Sequence, residues 1–136
     1  MDTTTLTVRT GAEFTLVDLT DDLAGFLTRA GAVEGLLHTF VPHATAGVAI
    51  MEIEPGTTAD APRLLGDLLP RDDRWAHVHG SPGHGADHML PLVVSPSVVI
   101  PVLDGRMQLG TWQSVVLVDP NVDNPLRTVR LSFLAG

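Results

Sequence analysis

Hydrophobic and polar residues alternate along several stretches of the chain, which is the pattern of β-strands with one buried face. The alternation predicts strands over residues 4–10, 13–19, 34–40, 47–53, 89–94, 97–103, 106–118 and 128–133. Between two of these runs, Asp104-Gly105 is typical of a type I′ hairpin turn, because both residues tolerate a positive φ.

Two other stretches have apolar residues at the spacing of a helix. Residues 21–30 predict a helix with its N-cap at Thr20 and its stop at Gly31. A second helix is expected to begin near residues 57–58 and to end before Pro70. The residues expected on the apolar faces are Leu23, Phe26, Leu27, Leu64, Leu65, Leu68 and Leu69. Because strands dominate and the helices are grouped, the pattern favours an α+β fold, an antiparallel-rich sheet or sandwich with two to three helices.

Composition limits the class of protein. The chain has 136 residues, 44% of them hydrophobic and 18% charged, which is typical of a single globular domain over residues 1–136. No segment approaches the roughly 18 consecutive apolar residues of a membrane helix, and no apolar leader begins the chain. We therefore expect a cytoplasmic protein with no membrane partner. The formal net charge of −8 argues against a nucleic-acid partner, since phosphate backbones are bound mainly by Lys and Arg.

The residue types that are missing narrow the chemistry further. All eight basic residues are arginine, and the chain contains no lysine, cysteine or tyrosine. Schiff-base catalysis, thiolate nucleophiles, disulfides and cysteine-ligated zinc are therefore excluded. An enzyme built from this chain must use histidine with carboxylates, or a metal ion.

Four of the six histidines lie within twelve residues of the least regular segment: His77, His79, His84 and His88. His84 and His88 have the i, i+4 spacing that pairs two side chains on one face of a helix. Neutral imidazoles suit zinc and other divalent metals, and a nearby carboxylate such as Asp87 could complete or orient the site. The alternative is a plain hydrophilic loop.

Four isolated positions are further candidates. His43 and Thr45 are two apart on an extended segment and so face the same side, where they could hold an anion; otherwise His43 is a surface loop residue. Glu52 follows an apolar run and is a candidate ligand or base, or a solvated residue. Arg127 is close to a turn where a phosphate clamp is easy to build.

Trp112 lies beside Gly110, which permits close backbone approach. The indole could form a flat wall for a ligand, and core packing is the simpler interpretation.

Several short motifs occur in a fixed order: His43-x-Thr45-Ala46, Glu52, Trp75-Ala76-His77, Asp87-His88-Met89 and Gly105-Arg106-x-x-Leu109-Gly110-Thr111-Trp112-Gln113. In this order the chain resembles the YjbQ-like family, also called secondary thiamine-phosphate synthase enzymes. The resemblance covers nearly the whole chain, and its most specific part lies between Pro96 and Gln113.

The resemblance implies a homotrimer of YjbQ-like α+β subunits with the site near subunit contacts. It also implies weak thiamine-phosphate synthase activity, in which a pyrimidine pyrophosphate and a thiazole phosphate are joined and pyrophosphate leaves. The residues carried over as catalytic are His43, Thr45, Glu52 and His88. The expected ligands of a divalent metal, zinc or magnesium, are His43, His77 and His88. The residues expected around a small phosphorylated ligand are Asp87, Trp112, Gln113 and Arg127.

The chain departs from the family pattern beside the proposed catalytic residues. Met51 and Ile53 stand where asparagines commonly flank Glu52, and His84 stands where an asparagine is expected. Two alternatives follow. One is a non-catalytic trimeric protein that binds a metal or a phosphate ligand, and the other is a phosphohydrolase using the same pocket.

Overall fold

The computed structural model describes residues 1–120 and 123–136, which form two antiparallel sheets and three α-helices. In chain order the elements are β1 (Asp2–Arg9), β2 (Thr15–Asp18), α1 (Thr20–Arg29), β3 (Gly35–Phe40), β4 (Gly47–Met51), α2 (Pro55–Leu68), α3 (His84–Met89), a short 3-10 helix (Leu90–Leu92), β5 (Ser97–Leu103), β6 (Arg106–Met107), β7 (Ser114–Asp119) and β8 (Leu126–Ala135). One sheet has the order β1-β8-β3-β5-β6 and the other β2-β7-β4. The predicted α+β class is confirmed.

In the described part of the chain, an apolar core joins the inward faces of both sheets to α1. The three α1 residues predicted to be buried, Leu23, Phe26 and Leu27, are all in this core. Strand β7 is the centre of the three-stranded sheet and is buried on both faces from Val115 onward. Its sequence is accordingly a continuous apolar run, and this run carries the buried Asp119 at its end into the candidate site.

Two predicted strands take a different form. Instead of a strand, residues 89–94 contain the last residue of α3 and the 3-10 helix. Pro91 has no amide N–H to donate to a neighbouring strand, and Leu90 O accepts hydrogen bonds from the amides of Val93 and Val94. The strand predicted over residues 106–118 is divided into β6 and β7. Between them the side chain of Gln113 accepts a hydrogen bond from Gly110 N at 2.8 Å, which closes a turn. Asp104 and Gly105 both have positive φ, as the predicted hairpin requires.

The helix ends also differ from the prediction. Thr20 lies inside α1, where Asp18 Oδ1 accepts from Thr20 N at 2.9 Å and Thr20 Oγ1 accepts from Val115 N at 3.0 Å. A Glu54–Thr57 capping box starts α2 at Pro55, two to three residues earlier than predicted.

The predicted apolar face of α2 does not belong to the core. None of the α2 side chains is buried, and Leu64 and Leu68 are 59% and 54% exposed. Leu65 and Leu69 instead line a surface cavity between α2 and α3. None of the described helices is both long and apolar enough to cross a membrane.

Candidate functional site

Three histidines converge where the irregular loop meets α3. His84 and His88 lie on one face of α3, as their spacing predicts, and their Nε2 atoms are 2.9 Å apart. The His77 ring comes from the preceding loop, and its centroid is 4.2 Å from that of His88. One ring nitrogen from each of the three lies within 4.8 Å of the other two. His79 is not a member of this group, but its ring lies beside that of His77, with the two centroids 5.3 Å apart.

Gly85 allows the loop to approach α3 this closely. A Cβ at this position would lie 2.5 Å from Trp75 Cβ and 2.7 Å from His77 O, far inside normal contact. Trp75 is itself anchored, since its indole N–H donates to Pro70 O at 2.7 Å. The absence of a side chain at Gly85 therefore allows His77 to take its position beside α3. The sequence feature that could have indicated this close approach is the glycine between His84 and His88.

Two carboxylates surround the Nδ1 atom of His84. Asp123 Oδ2 lies 3.0 Å from this nitrogen and Asp87 Oδ2 lies 3.5 Å from it. Asp87 is 4% exposed and accepts a charged hydrogen bond from Arg71, while Ser81 donates through its hydroxyl to Asp123. Neither carboxylate is oriented to form a full hydrogen bond with His84 Nδ1 in this conformation. Their negative charge still favours the proton on Nδ1, which leaves Nε2 as the lone-pair donor.

The protonation states of His88 and Asp123 suit a cation. Burial lowers the pKa of His88, and the neighbouring His77 and His84 lower it further against the opposing effect of Asp87. Its imidazole is therefore neutral near pH 7. The hydrogen bond from Ser81 lowers the pKa of Asp123, whose carboxylate stays ionised.

The donor set fits a divalent metal ion. A tetrahedral zinc with nitrogen ligands at about 2.0–2.1 Å keeps those nitrogens about 3.3 Å apart. The Nε2 atoms of His84 and His88 are 2.9 Å apart, so a small separation of the two rings would admit the ion. The carboxylates of Asp87 and Asp123 would then lie behind the His84 ligand, the usual place for groups that orient a metal-bound imidazole.

A cavity of about 310 Å³ opens beside this cluster. It is lined by His43, Ala44, Thr45, His84, Asp87, His88, Asp123, Asn124 and Arg127. Arg127 and Asp119 are both buried and form a two-point ion pair, with Nε–Oδ2 at 2.7 Å and Nη2–Oδ1 at 2.8 Å. Arg127 Nη2 also donates to Thr45 Oγ1 at 3.0 Å. The end of β7, the start of β8 and the β3–β4 loop thus meet at one wall of the cavity.

His43 is held on the same wall by a backbone contact. The amide N–H of Thr128 donates to His43 Nε2 at 2.8 Å. A backbone amide can only donate, so Nε2 carries no proton and the neutral ring has its proton on Nδ1. Burial lowers the pKa of His43, the charge of Arg127 lowers it further, and Asp119 opposes the change.

The structure brings most of the predicted site residues to one place. The cavity is lined by His43, Thr45, Asp87, His88 and Arg127. The predicted metal set differs in one member. His77 and His88 belong to the converging group, but its third member is His84, because His43 Nε2 is already occupied by a backbone amide. His77 lines a neighbouring cavity of about 410 Å³ that shares His84 with the first.

Three other predicted site residues lie away from this cavity. Glu52 is exposed before α2, and its carbonyl oxygen accepts from Thr57 Oγ1 at 3.0 Å. Gln113 holds the β6–β7 turn. Trp112, at the same turn, is 75% exposed, so the interpretation that its side chain packs in the core is wrong.

Comparisons with known proteins agree with this architecture. The family model described as UPF0047 protein YjbQ-like matches residues 4–136. The chain belongs to the YjbQ-like family. A UPF0047 protein of Mycobacterium tuberculosis is 57% identical over 136 residues, covering 100% of both chains.

Solved YjbQ-like structures share the fold. A hypothetical protein from Aeropyrum pernix has a TM-score of 0.90 and 35% identity, covering 100% of each chain. A protein from Sulfolobus solfataricus, described as YbjQ-like and of unknown function, has a TM-score of 0.92 and 25% identity, covering 99% of this chain and 97% of its own. The expected YjbQ-like fold is confirmed.

The expected activity is not confirmed. Thiamine-phosphate synthase activity is the wrong conclusion for this YjbQ-like chain, because the matching family and relatives are described only as UPF0047 proteins and the S. solfataricus relative as one of unknown function. The non-catalytic alternative has no support from these relatives either.

Proposed function

We propose that this YjbQ-like protein binds one divalent metal ion at His77, His84 and His88 and uses it to hydrolyse a small molecule. The observation that carries the proposal is the convergence of three imidazole nitrogens within 4.8 Å of one another. Zinc suits this site better than magnesium. Magnesium requires oxygen ligands in near-octahedral geometry, whereas imidazole nitrogen is a common zinc ligand.

The number of converging histidines favours a catalytic centre over a structural one. Structural zinc sites are closed by four protein ligands, whereas catalytic sites use three and leave a position for water or substrate. Three ring nitrogens converge among the described residues, and two of the three histidines line the 310 Å³ cavity. A zinc ion held there by His77, His84 and His88 would lower the pKa of a bound water to about 7. The ionised carboxylate of Asp123 lines the same cavity and could accept the released proton.

Metal binding is tested directly by titrating the metal-free protein with cobalt(II) or zinc. We expect one ion per chain, and a loss of affinity of at least about tenfold in His84→Ala and in His88→Ala. His38→Ala is the matched control, because the His38 ring stacks on Phe40 in β3, outside the cluster. Binding by His84→Ala or His88→Ala that equals wild type would refute the centre.

Activity is tested with a panel of small phosphate and carboxylate esters, each with metal-loaded and with chelator-treated protein. We expect turnover only in the loaded protein, reduced in His88→Ala by at least about tenfold, or about 1.4 kcal/mol in barrier. A protein that binds one ion and turns over no ester would refute the hydrolytic half of the proposal.

We also propose that the chain forms a homotrimer. The outward face of the five-stranded sheet supports self-association, since register places Leu36 between Pro101 and Leu134, and Val99 and Leu103 are exposed beside them. Light scattering tests the assembly, and a monomer at micromolar concentration would contradict it. A cytoplasmic location stays a prediction from the sequence.

A further inference from the structure

Arg127 has one guanidinium nitrogen that none of the described residues contacts as an acceptor. Nε and Nη2 contact Asp119, and Nη2 also contacts Thr45 Oγ1. Among the described residues, Nη1 has no acceptor, and it is not one of the fully buried atoms that lack a partner. Nη1 therefore keeps some solvent contact although the Arg127 side chain is only 3% exposed, and the residue lines the cavity.

Thr45 also retains a donor. A guanidinium group has only donors, so the Thr45 hydroxyl oxygen must be the acceptor in its 3.0 Å contact with Arg127. The hydroxyl hydrogen is left over, and no described residue accepts it. Because the Thr45 hydroxyl oxygen accepts from Arg127, the hydroxyl hydrogen remains available to donate to a ligand.

His43 also retains a donor. Its Nε2 accepts from the amide of Thr128, so the neutral ring carries its proton on Nδ1. No described residue accepts from Nδ1, and this atom is also absent from the fully buried atoms without a partner. The Nδ1–H group is a third unused donor on a residue of the same cavity.

We propose that these three donors form an oxyanion subsite, and that the molecule acted on carries a carboxylate or phosphate group held by His43, Thr45 and Arg127. The proposal rests on the metal centre proposed above, which would bind another oxygen of the same molecule. Three donors with no acceptor among them are complementary to a group that has only acceptors. Asp119 balances the charge of Arg127, so the metal dication supplies the net attraction for the anion.

The test measures anion binding after metal binding has been established on the same preparation. Inorganic phosphate and acetate are titrated separately into cobalt-loaded and metal-free protein, by calorimetry and by the visible spectrum of the cobalt. We expect at least one anion to bind the loaded protein about tenfold or more tightly than the metal-free one. The anion that binds tells whether a phosphoryl or a carboxyl group is recognised.

Variants of Thr45 test the subsite itself. Thr45→Val should weaken anion binding by about tenfold, because a hydrogen bond to a charged group is lost, and should leave metal affinity unchanged. Thr45→Ser keeps the hydroxyl and should bind the anion within about threefold of wild type. Thr39→Val is the matched control, since Thr39 is a buried threonine of β3 that does not line the cavity.

The outcomes separate the two proposals. A protein that binds the metal but neither anion overturns the oxyanion subsite and leaves the metal centre standing. A protein that binds no metal overturns the proposed function, together with the subsite that rests on it. Anion binding by Thr45→Val that equals wild type also overturns the subsite.

Discussion

The carboxylate of Asp87 offers the sharpest test of how the protein prepares its histidines. Asp87 lies between His84 and His88 on α3, is 4% exposed, and is paired with Arg71. Asp87→Asn keeps the size of the side chain and an oxygen that can accept from Arg71. It removes the negative charge that favours the proton on His84 Nδ1. The variant therefore changes the electrostatics of the ligand with little change in packing.

The expected magnitude follows from the two distances at His84 Nδ1. Removing the partner of a metal-bound histidine costs about 10- to 100-fold in metal affinity, or about 1.4–2.8 kcal/mol. Here Asp123 is the closer carboxylate at 3.0 Å, and Asp87 is at 3.5 Å. Because two carboxylates supply the negative charge at His84 Nδ1, we expect a loss of metal affinity at the lower end of this range, about tenfold. The free energy of unfolding should fall by only about 1 kcal/mol, because Arg71 is 33% exposed and can be hydrated.

The assay is a competition titration of zinc between the protein and a chromophoric chelator. Asp72→Asn is the control, because it removes a carboxylate from an exposed ion pair with Arg74 in the same segment. Circular dichroism of each variant reports the fold. Wild-type zinc affinity in a folded Asp87→Asn protein would refute the role of Asp87 in preparing His84.

Three further predictions concern packing, the buried ion pair and pH. In Gly85→Ala the new Cβ, 2.5 Å from Trp75 Cβ, should displace the loop and lower cobalt affinity by at least about tenfold; unchanged affinity would contradict it. Arg127→Ala removes the guanidinium that pairs with the buried carboxylate of Asp119, so denaturant unfolding should show a loss of about 3–5 kcal/mol, and a loss below about 1 kcal/mol would contradict it. His43 has its pKa lowered below 6.5, so below that pH the unfolded chain binds more protons than the folded one. The free energy of unfolding of the metal-free protein should be retained above about pH 6.5 and should decrease as the pH falls through the folded pKa, less so in His43→Gln.

Local sequence features predicted local structure well. The spacing of Leu23, Phe26 and Leu27 predicted the buried face of α1, and the i, i+4 spacing of His84 and His88 predicted that they share a helix face. These predictions succeed because side-chain direction within one element depends on backbone period alone. The strand predicted over residues 89–94 failed because hydrophobicity without a clear period does not distinguish a strand from a short helix.

The choice of metal ligands required contacts between distant parts of the chain. His43 and His84 were both visible as histidines, yet the amide that occupies His43 Nε2 comes from Thr128, 85 residues away. Trp112 likewise has an apolar side chain that the sequence alone favours in the core, and its position on a turn leaves it exposed.

The sequence by itself determined the α+β class, the family and the restriction of chemistry to histidine, carboxylate and metal, because these follow from residue type and short-range order. Only the tertiary structure decided which ring nitrogens are free and which donors remain for a ligand. The physical reason is that a hydrogen bond uses up a donor or an acceptor, and at His43, Thr45 and Arg127 the partners are brought together only by the packing of β7 and β8 against the β3–β4 loop.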